Sequence, residues 1–285
     1  MRAVFSCWCA AATTLLAAGC EKSTEKAAPE APHSVAPARG DATPPAPVRS
    51  AVSAAHQHQE ASPIPQAARQ LVVALTDGWD DSSATLFRFA RTGGEWQAVG
   101  ESFAAVTGRS GLAWGRGLHG DGAPRGRPGP VKAEGDGRAV AGVFALGPAY
   151  GYASKPPAGA RMRYVQSSAS LRCVDDASSA HYAKIVDASQ KDWRSAEHMR
   201  RDDDLYRLLV VVQHNTAERP GAGSCIFLHV WSRPDSTTSG CTAMPLERVT
   251  ELVRWLEPEG ALLVALPDSE YAALASPWQL PALRR

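Results

Sequence analysis

The chain has 285 residues, of which 30 are basic and 29 acidic, so its formal charge is only +1. Because a nucleic-acid backbone is held by an excess or a cluster of positive charge, and the sequence has neither, a nucleic-acid partner is excluded. The 21 prolines, 24 glycines and 44% hydrophobic content predict one folded domain joined to a segment that does not fold.

The first nineteen residues have the features of an export signal. Arg2 supplies the charged start, and the apolar run over 3–16 is too short to span a membrane permanently. The run ends in Leu-Leu-Ala-Ala-Gly before Cys20, which resembles a bacterial lipobox, where the cysteine carries the lipid. We therefore expect a lipoprotein signal peptide over 1–19 and a protein of the cell envelope, periplasmic or extracytoplasmic, anchored to the membrane through lipid on Cys20. Cleavage by ordinary signal peptidase is the alternative.

Residues 20–69 are rich in alanine, proline, serine and charge, with almost no large apolar side chain. Such a segment cannot offset its ordering entropy by burial, so it is predicted to be a disordered tether. We place the folded domain at 70–270 and a C-terminal tail at 271–285.

Short apolar runs recur after residue 70 and predict a mostly β domain. They lie at 71–75, 84–89, 143–146, 208–212, 225–231 and 261–266, separated in many places by turns rich in glycine or proline. The turn between the first two runs predicts a hairpin. One amphipathic helix is predicted after Pro245, with apolar residues at helical spacing at Leu246, Val249, Leu252, Val253 and Leu256.

The segment from 223 to 244 combines the residue types that a thiol nucleophile needs. His229 stands near the end of a predicted buried strand, and Cys241 follows Gly240 in a small-residue turn before the predicted helix. A thiol is mostly protonated at neutral pH, so it needs a nearby base, and a helix N-terminus favours the thiolate. We therefore predict Cys241 as nucleophile and His229 as base, with the N–H groups of Gly240 and Cys241 stabilising an oxyanion.

The number of cysteines is consistent with a free Cys241. Once the two cysteines of the signal segment and the lipidated Cys20 are set aside, Cys173, Cys225 and Cys241 remain. A disulfide between Cys173 and Cys225 would leave Cys241 free, but sequence alone does not fix the connectivity, and a bridge that includes Cys241 stays open.

The same segment resembles the signature of the L,D-transpeptidases of the YkuD type, a strand histidine followed by Ser/Thr-His-Gly-Cys. His229 matches the base of the family, Thr238 its Ser/Thr, Gly240 its glycine and Cys241 its nucleophile. The stretch 134–144 is similar to the Gly-Asp-Gly-Arg element of the family.

The sequence departs from that signature in three ways. Ser239 replaces the histidine, Ala243 replaces the usual arginine, and the spacing between His229 and Cys241 is shorter than in most members. The pair that carries the chemistry is kept, while the residues that recognise the substrate differ. The chain is therefore interpreted as an atypical member.

The resemblance implies a curved mixed sheet or sandwich with few helices, acting as a monomer without cofactor or metal. Cys241 would attack the third residue of a peptidoglycan stem peptide, expel the terminal D-alanine and form a thioester that an amine resolves. Two alternatives remain: an L,D-carboxypeptidase, in which water resolves the thioester, and a catalytically silent lipoprotein that binds peptidoglycan.

Three further residues are candidates for substrate binding. Thr238 and Ser239 flank the predicted nucleophile, and His214 follows a predicted strand that could line the same cleft, although a turn or capping role is equally compatible with its position. The acidic pair Asp175 and Asp176 could hold the amine of a diamino acid, but we prefer to interpret it as a turn, as we do the Gly-Asp-Gly stretch at 135–137.

Overall fold

The structure, a computed structural model, describes residues 62–283. The predicted signal peptide, Cys20 and the tether up to residue 61 lie outside these residues.

The described residues form sixteen strands and two α helices, joined by loops and one 3₁₀ helix. The first eight strands are β1 (Gln70–Thr76), β2 (Ser83–Thr92), β3 (Glu95–Ala98), β4 (Phe103–Val106), β5 (Leu112–Trp114), β6 (Arg116–Gly117), β7 (Gly120–Asp121) and β8 (Ala139–Gly151). The others are β9 (Tyr164–Gln166), β10 (Leu171–Val174), β11 (Ile185–Asp187), β12 (Ala196–His198), β13 (Leu208–Val212), β14 (Phe227–Val230), β15 (Thr242–Met244) and β16 (Ala261–Pro267). The helices are α1 (Leu246–Trp255) and α2 (Asp268–Leu274), and the 3₁₀ helix is Ala188–Gln190.

Eight of these strands form a mixed sheet that closes into a ring. Their order is β1, β16, β8, β13, β14, β15, β4 and β2, and the ring closes because β2 also pairs with β1. Strands β1 and β2 are the predicted hairpin, while β16 returns to lie parallel to β1. The structure confirms the predicted mostly β fold with few helices.

Strand β1 shows why its run of apolar residues is continuous rather than alternating. Successive side chains of a strand point to opposite faces, and here both faces are covered. Val72 and Ala74 belong to one buried cluster with helix α1, whereas Leu71, Val73 and Leu75 belong to another with helix α2. The ring is therefore packed on both sides along this strand.

Helix α1 begins after Pro245 and buries Val249, Leu252 and Val253, as the periodicity predicts. Proline suits this position because its missing N–H would have no partner in the first turn. Within residues 62–283, neither helix has the length and apolar character needed to cross a membrane.

The folded region extends beyond the predicted boundaries at 70 and 270. Ile64 and Ala68 of the predicted tether are buried, as are Tyr271, Leu274 and Trp278 of the predicted tail. All five belong to the cluster on the α2 side of β1. The two boundaries are corrected for this reason: both flanking segments supply apolar surface to the same core.

A smaller region, residues 167–206, packs over part of the ring, and we call it the cap. Its strands β10, β11 and β12 form a separate sheet, and a disulfide joins Cys173 of β10 to Cys225, just before β14. Met199 and Tyr206 of the cap share a buried cluster with Phe227 of β14. The cap therefore covers the face on which the predicted catalytic residues lie.

Candidate active site

Two neighbouring strands place the predicted nucleophile and base on one face of the sheet. Strands β14 and β15 are parallel, with His229 opposite Ala243. Cys241 lies two residues before Ala243, and side chains two residues apart in extended chain share a face. The backbone N–H of Phe227, two residues before His229, donates to the Cys241 sulfur at 3.3 Å. Cys241 and His229 are therefore brought together, as the sequence predicts.

Both side chains line a cavity of about 350 Å³ between the cap and the ring. Thr238, Ser239 and Gly240 line it as well. Its charged lining residues are Lys132, Glu134, Asp175, Glu197 and Arg201. The cavity thus presents both signs of charge beside a thiol and an imidazole, which suits a ligand that carries both ammonium and carboxylate groups.

Cys241 is the only free cysteine among the described residues and is buried, with 6% of its surface exposed. Its thiol donates to the carbonyl oxygen of Cys225 at 3.4 Å and accepts from the N–H of Phe227. Burial raises the pKa of the thiol well above its ordinary value, with the nearby Glu197 carboxylate acting in the same direction. In the state that the structure describes, the thiol is protonated and bonded to backbone rather than to His229.

The prediction that a helix N-terminus favours the Cys241 thiolate is wrong. Strand β15, Thr242–Met244, stands between Cys241 and helix α1. The field of a helix end falls off within about one turn, so α1 does not lower the pKa of the thiol. The three residues of β15 were interpreted as part of the turn because so short a strand has no periodicity of its own.

The hydrogen bond of His229 fixes which of its nitrogens is basic. Nδ1 lies 2.8 Å from the carbonyl oxygen of Val230. Because a carbonyl only accepts, Nδ1 carries the proton and Nε2 has the free lone pair. Burial lowers the pKa of His229 to about 4. The imidazole is therefore neutral at pH 7, which is the form that can accept a proton.

His214 lies in a different place from the one predicted. It is buried, its Nδ1 accepts from the N–H of Arg116 at 3.1 Å, and its Nε2 lies 3.0 Å from the carbonyl oxygen of Ala222. The tight turn after β13, in which the N–H of His214 donates to Val212, breaks the alternation of the strand. The prediction of a substrate contact is wrong, because both ring nitrogens hold backbone groups and the residue is not among those that line the Cys241 cavity.

The two buried histidines should make the stability of the protein depend on pH. Burial lowers the pKa of His214 and of His229 to about 4, against 6.5 for the ordinary side chain. As the pH falls through about 6.5, the unfolded chain binds these protons first, so stability is lost between about pH 6.5 and pH 4. Each histidine should contribute a slope of about 1.4 kcal/mol per pH unit in that window.

Denaturant unfolding from pH 4 to pH 7 measures this slope. His214→Asn and His229→Asn should each reduce it by about one proton, and the double variant by about two. An unchanged slope in both single variants would show that neither ring is held neutral by the fold.

The turn before the nucleophile is shaped by Thr238. Its hydroxyl donates to the carbonyl oxygen of Cys241 at 2.6 Å and accepts from the N–H of Gly240 at 3.1 Å. The N–H of Gly240 is therefore already bonded, which corrects its predicted part in an oxyanion site. Thr238 still lines the cavity, but its hydroxyl serves the turn, so the prediction of a substrate contact through that group is corrected as well. Ser239 accepts from Arg109 at 3.4 Å in an exposed position, where it lines the cavity.

The stretch 135–137 forms the predicted turn, and it lies against the nucleophile turn. The Asp136 carboxylate accepts from Lys132 at 2.6 Å and from the N–H groups of Ala133 and Arg138 at 2.9 and 2.8 Å. A Cβ on Gly240 would lie only 3.1 Å from the carbonyl oxygen of Arg138. Glycine at 240 therefore allows the two turns to approach each other.

Several polar residues of the cavity were missed by sequence reasoning. From the cap, the Tyr206 hydroxyl donates to Glu197, and the Arg201 guanidinium lies 5.1 Å from the centre of the Tyr206 ring. Lys132 and Glu134 come from the segment before the Gly-Asp-Gly turn. Only the last two had a local signal, since Glu134 begins the stretch that resembles a known element and Lys132 lies two residues before it.

The two acidic residues Asp175 and Asp176 have different roles. Asp176 accepts from the N–H groups of Ser178 and Arg194, so it forms the turn that we preferred. Asp175 instead lines the cavity, where its Oδ1 atom is buried and has no hydrogen-bond partner among the described residues. The interpretation of the whole pair as a turn is therefore correct for one member only.

Comparison of the sequence with family models and with curated proteins finds no match. Among solved structures, the chain is similar to the Bdellovibrio bacteriovorus protein Bd1075, with 14% identity and a TM-score of 0.36. The similarity covers 74% of this chain and 54% of the other, so the chain spans about half the length of that protein.

Proposed function

We propose that the protein is a peptidoglycan L,D-transpeptidase with Cys241 as nucleophile and His229 as general base. The observation that carries the proposal is that the free cysteine of residues 62–283, directly before β15, and a neutral histidine of the adjoining β14 line one cavity. The order of strand histidine, small-residue turn and cysteine supplies the second support, through its resemblance to the signature of this enzyme class.

The reaction follows from the placement of these groups. The thiol gives its proton to Nε2 of His229, and the sulfur attacks the carbonyl carbon of the third residue of a stem peptide. The bond to the terminal D-alanine breaks, the imidazolium returns the proton to the leaving amine, and a thioester remains on Cys241. An amine of a neighbouring stem then attacks the thioester, which forms the new amide and frees the thiol.

The charges of the cavity support a stem peptide as substrate. Such peptides carry both carboxylates and amines, and the cavity offers Lys132 and Arg201 for the former and Glu134, Asp175 and Glu197 for the latter. Since Ala243 stands where the signature has an arginine, a cation that binds the substrate carboxylate must come from elsewhere. Arg201, on the cap, is the residue that we propose for this part.

A related hydrolase is the second candidate, and the size of the cavity favours it. A volume of about 350 Å³ is at the small end of ligand sites and suits one stem better than two. If water rather than an amine resolves the thioester, the protein is an L,D-carboxypeptidase.

Membrane anchoring through lipid on Cys20 is also part of the proposal. It rests on the residues before Cys20 in the sequence, since Cys20 lies outside the described range. Mass spectrometry of the mature N-terminus distinguishes the lipidated cysteine from the product of ordinary signal peptidase.

The test is a comparison of the muropeptides that the wild type and Cys241→Ala produce from purified sacculi. We expect new 3–3 cross-links with the wild type and none with the variant, because the sulfur is the attacking atom. Shortened stems would identify the hydrolase instead, and identical muropeptides from a folded variant would leave a protein that only binds the wall. Thermal unfolding of both proteins provides the control, since truncation of one buried thiol should cost only about 1 kcal/mol.

A further inference from the structure

Lys132 places a buried ammonium beside the turn that carries the predicted nucleophile. Only 3% of its side chain is exposed, yet it lines the cavity that holds Cys241 and His229. The position that a Cβ on Gly240 would take lies 3.8 Å from Nζ of Lys132. Since Gly240 directly precedes Cys241, the ammonium flanks the part of the cavity in which the sulfur would meet a carbonyl group.

The aliphatic stem of Lys132 is held in place along its length. The backbone N–H of the residue donates to the carbonyl oxygen of Trp114 at 2.9 Å. A Cβ at Gly223 would lie 3.0 Å from Cγ and 3.2 Å from Cε of Lys132, so the stem passes through a space that glycine leaves open. A side chain that is already ordered loses little conformational entropy when a ligand binds to its end.

The ammonium of Lys132 has one N–H group to spare. A lysine ammonium has three donors. One donates to Oδ1 of Asp136 at 2.6 Å and another to the carbonyl oxygen of Ala133 at 2.9 Å. The third has no acceptor among residues 62–283. It is therefore available to an oxygen atom of a ligand in the cavity.

The proposed reaction creates a negative charge that needs such a donor. Attack of sulfur on a carbonyl group produces an oxyanion, and fixed donors or cations aimed at that oxygen are usually the largest source of catalysis. The N–H of Gly240, which the sequence predicts for this part, is already bonded to the Thr238 hydroxyl. A positive charge in a cavity wall attracts an oxyanion more strongly than it would in water.

We propose that Lys132 is a catalytic residue whose ammonium stabilises the oxyanion formed when Cys241 attacks the substrate carbonyl. The inference rests on the proposed function, because it concerns the same attack. It gives Lys132 a part at the reacting oxygen and leaves Arg201 to bind the substrate carboxylate.

Lys132 acts in this step without gaining or losing a proton. As the S–C bond forms, the π electron pair of the carbonyl moves onto its oxygen, and the charge there is stabilised by the ammonium. When that pair returns to re-form the C=O bond, the bond to the leaving amine breaks. The thiol proton still passes to His229 and then to the amine, so Lys132 and His229 act on different atoms.

The same ammonium also acts on the thiol itself. Burial and the Glu197 carboxylate raise the pKa of Cys241, whereas the charge of Lys132 lowers it. Loss of the ammonium should therefore slow every reaction of the thiolate, whether or not an oxyanion forms. The two effects are separated by comparing a reagent that forms an oxyanion with one that does not.

The test compares p-nitrophenyl acetate with iodoacetamide on the full chain at pH 7. Attack on the ester forms an oxyanion and leaves an acetyl thioester on Cys241, whereas alkylation displaces iodide from a methylene carbon and forms none. Release of nitrophenolate above the level of Cys241→Ala measures acylation, and peptide mapping measures alkylation. Lys132→Met keeps an unbranched apolar stem, and it should lower the ratio of the acylation rate to the alkylation rate about a hundredfold.

Lys184→Met is the matched control. It also removes a lysine and an ion pair, with Glu218 at 2.7 Å, but Lys184 does not line the cavity, so the ratio should equal that of the wild type. Asp136→Asn is the second test variant, and it answers the question even if Lys132→Met does not fold. It keeps the ammonium and removes the carboxylate that offsets its charge, so the ratio should stay at or above the wild-type value.

An equal fall of both rates in Lys132→Met would overturn the proposal, because it would show an effect on the thiol alone. A ratio below the wild-type value in Asp136→Asn, or a wild type that is alkylated but not acylated, would overturn it too. Neither reagent is a wall peptide, so these results are separable from the muropeptide test. Loss of cross-links in Cys241→Ala with an unchanged ratio in Lys132→Met would keep the proposed function and remove the part of Lys132. A lowered ratio with identical muropeptides would do the opposite.

Discussion

Removal of the disulfide between Cys173 and Cys225 should lower the free energy of unfolding by about 4 kcal/mol. The two cysteines are 52 residues apart in sequence, so the bridge restricts a long loop of the unfolded chain. In the chain-entropy account, closing a loop of that length is worth about 4 kcal/mol at 25 °C. The bridge also joins the cap to the segment just before β14, the strand that carries His229.

Urea unfolding of the wild type and of Cys173→Ala/Cys225→Ala, each with and without reductant, measures this contribution. Reductant should destabilise the wild type toward the double variant and leave the double variant unchanged. The double variant is preferable to either single one, because a freed Cys225 would stand next to Cys241 and could pair with it. Equal stability of the wild type and the double variant would show that packing alone holds the cap.

The long strands were predictable because both of their faces are buried. Strands β1, β13 and β16 match the apolar runs at 71–75, 208–212 and 261–266 to within one residue at each end. A strand that is covered on both sides is continuously apolar, so its sequence signal is complete in itself. Helix α1 was predictable for a similar reason, since one of its faces packs against the ring.

The cap was not predicted, because its order comes from distant partners. Strands β10, β11 and β12 have three or four residues each and only two fully buried side chains between them, Cys173 and Val174. What holds them is the bridge to Cys225 and the packing of Met199 and Tyr206 against the ring. Neither kind of contact leaves a periodic pattern in the local sequence.

The residues of the site also divide into those with a local sequence signal and those placed by distant contacts. Cys241 and His229 lie close in sequence, His229 on β14 and Cys241 directly before the adjoining β15, so a local signature was enough to find them. Tyr206 and Glu197 line the same cavity as Cys241 only because the cap folds back over β14, and nothing in their own neighbourhood of the sequence points to that position. The prediction for His214 failed because a tight turn after β13 redirects its side chain.

Replacement of Gly108 by alanine should also strongly lower the free energy of unfolding. The added methyl group would separate the Gly-Asp-Gly turn from the turn that carries Cys241. A Cβ at this position would lie 2.3 Å from the carbonyl oxygen of Gly137 and 2.6 Å from the N–H nitrogen of Ala139, both backbone atoms that cannot rotate away. On its other side, Gly108 pairs with Thr238, and the N–H of the next residue, Arg109, donates to Thr238 at 2.8 Å. We expect Gly108→Ala to cost about 3 kcal/mol.

Gly135→Ala is the matched control, because Gly135 lies in the Gly-Asp-Gly turn against which Gly108 packs, and its own Cβ would meet nothing within 4 Å. Its φ of 73° disfavours alanine, so the variant should cost about 1 kcal/mol through the backbone alone. Urea unfolding should separate the two variants by about 2 kcal/mol, as the difference between those costs. The rate at which iodoacetamide alkylates Cys241 at pH 7 should also change in Gly108→Ala. The reason is that the stretch 107–109 lies between the 137–139 backbone and the turn that carries the nucleophile. If the two variants unfold at the same urea concentration, the stretch at 108 moves freely, and the nucleophile turn must be held instead by Thr238 and its own hydrogen bonds.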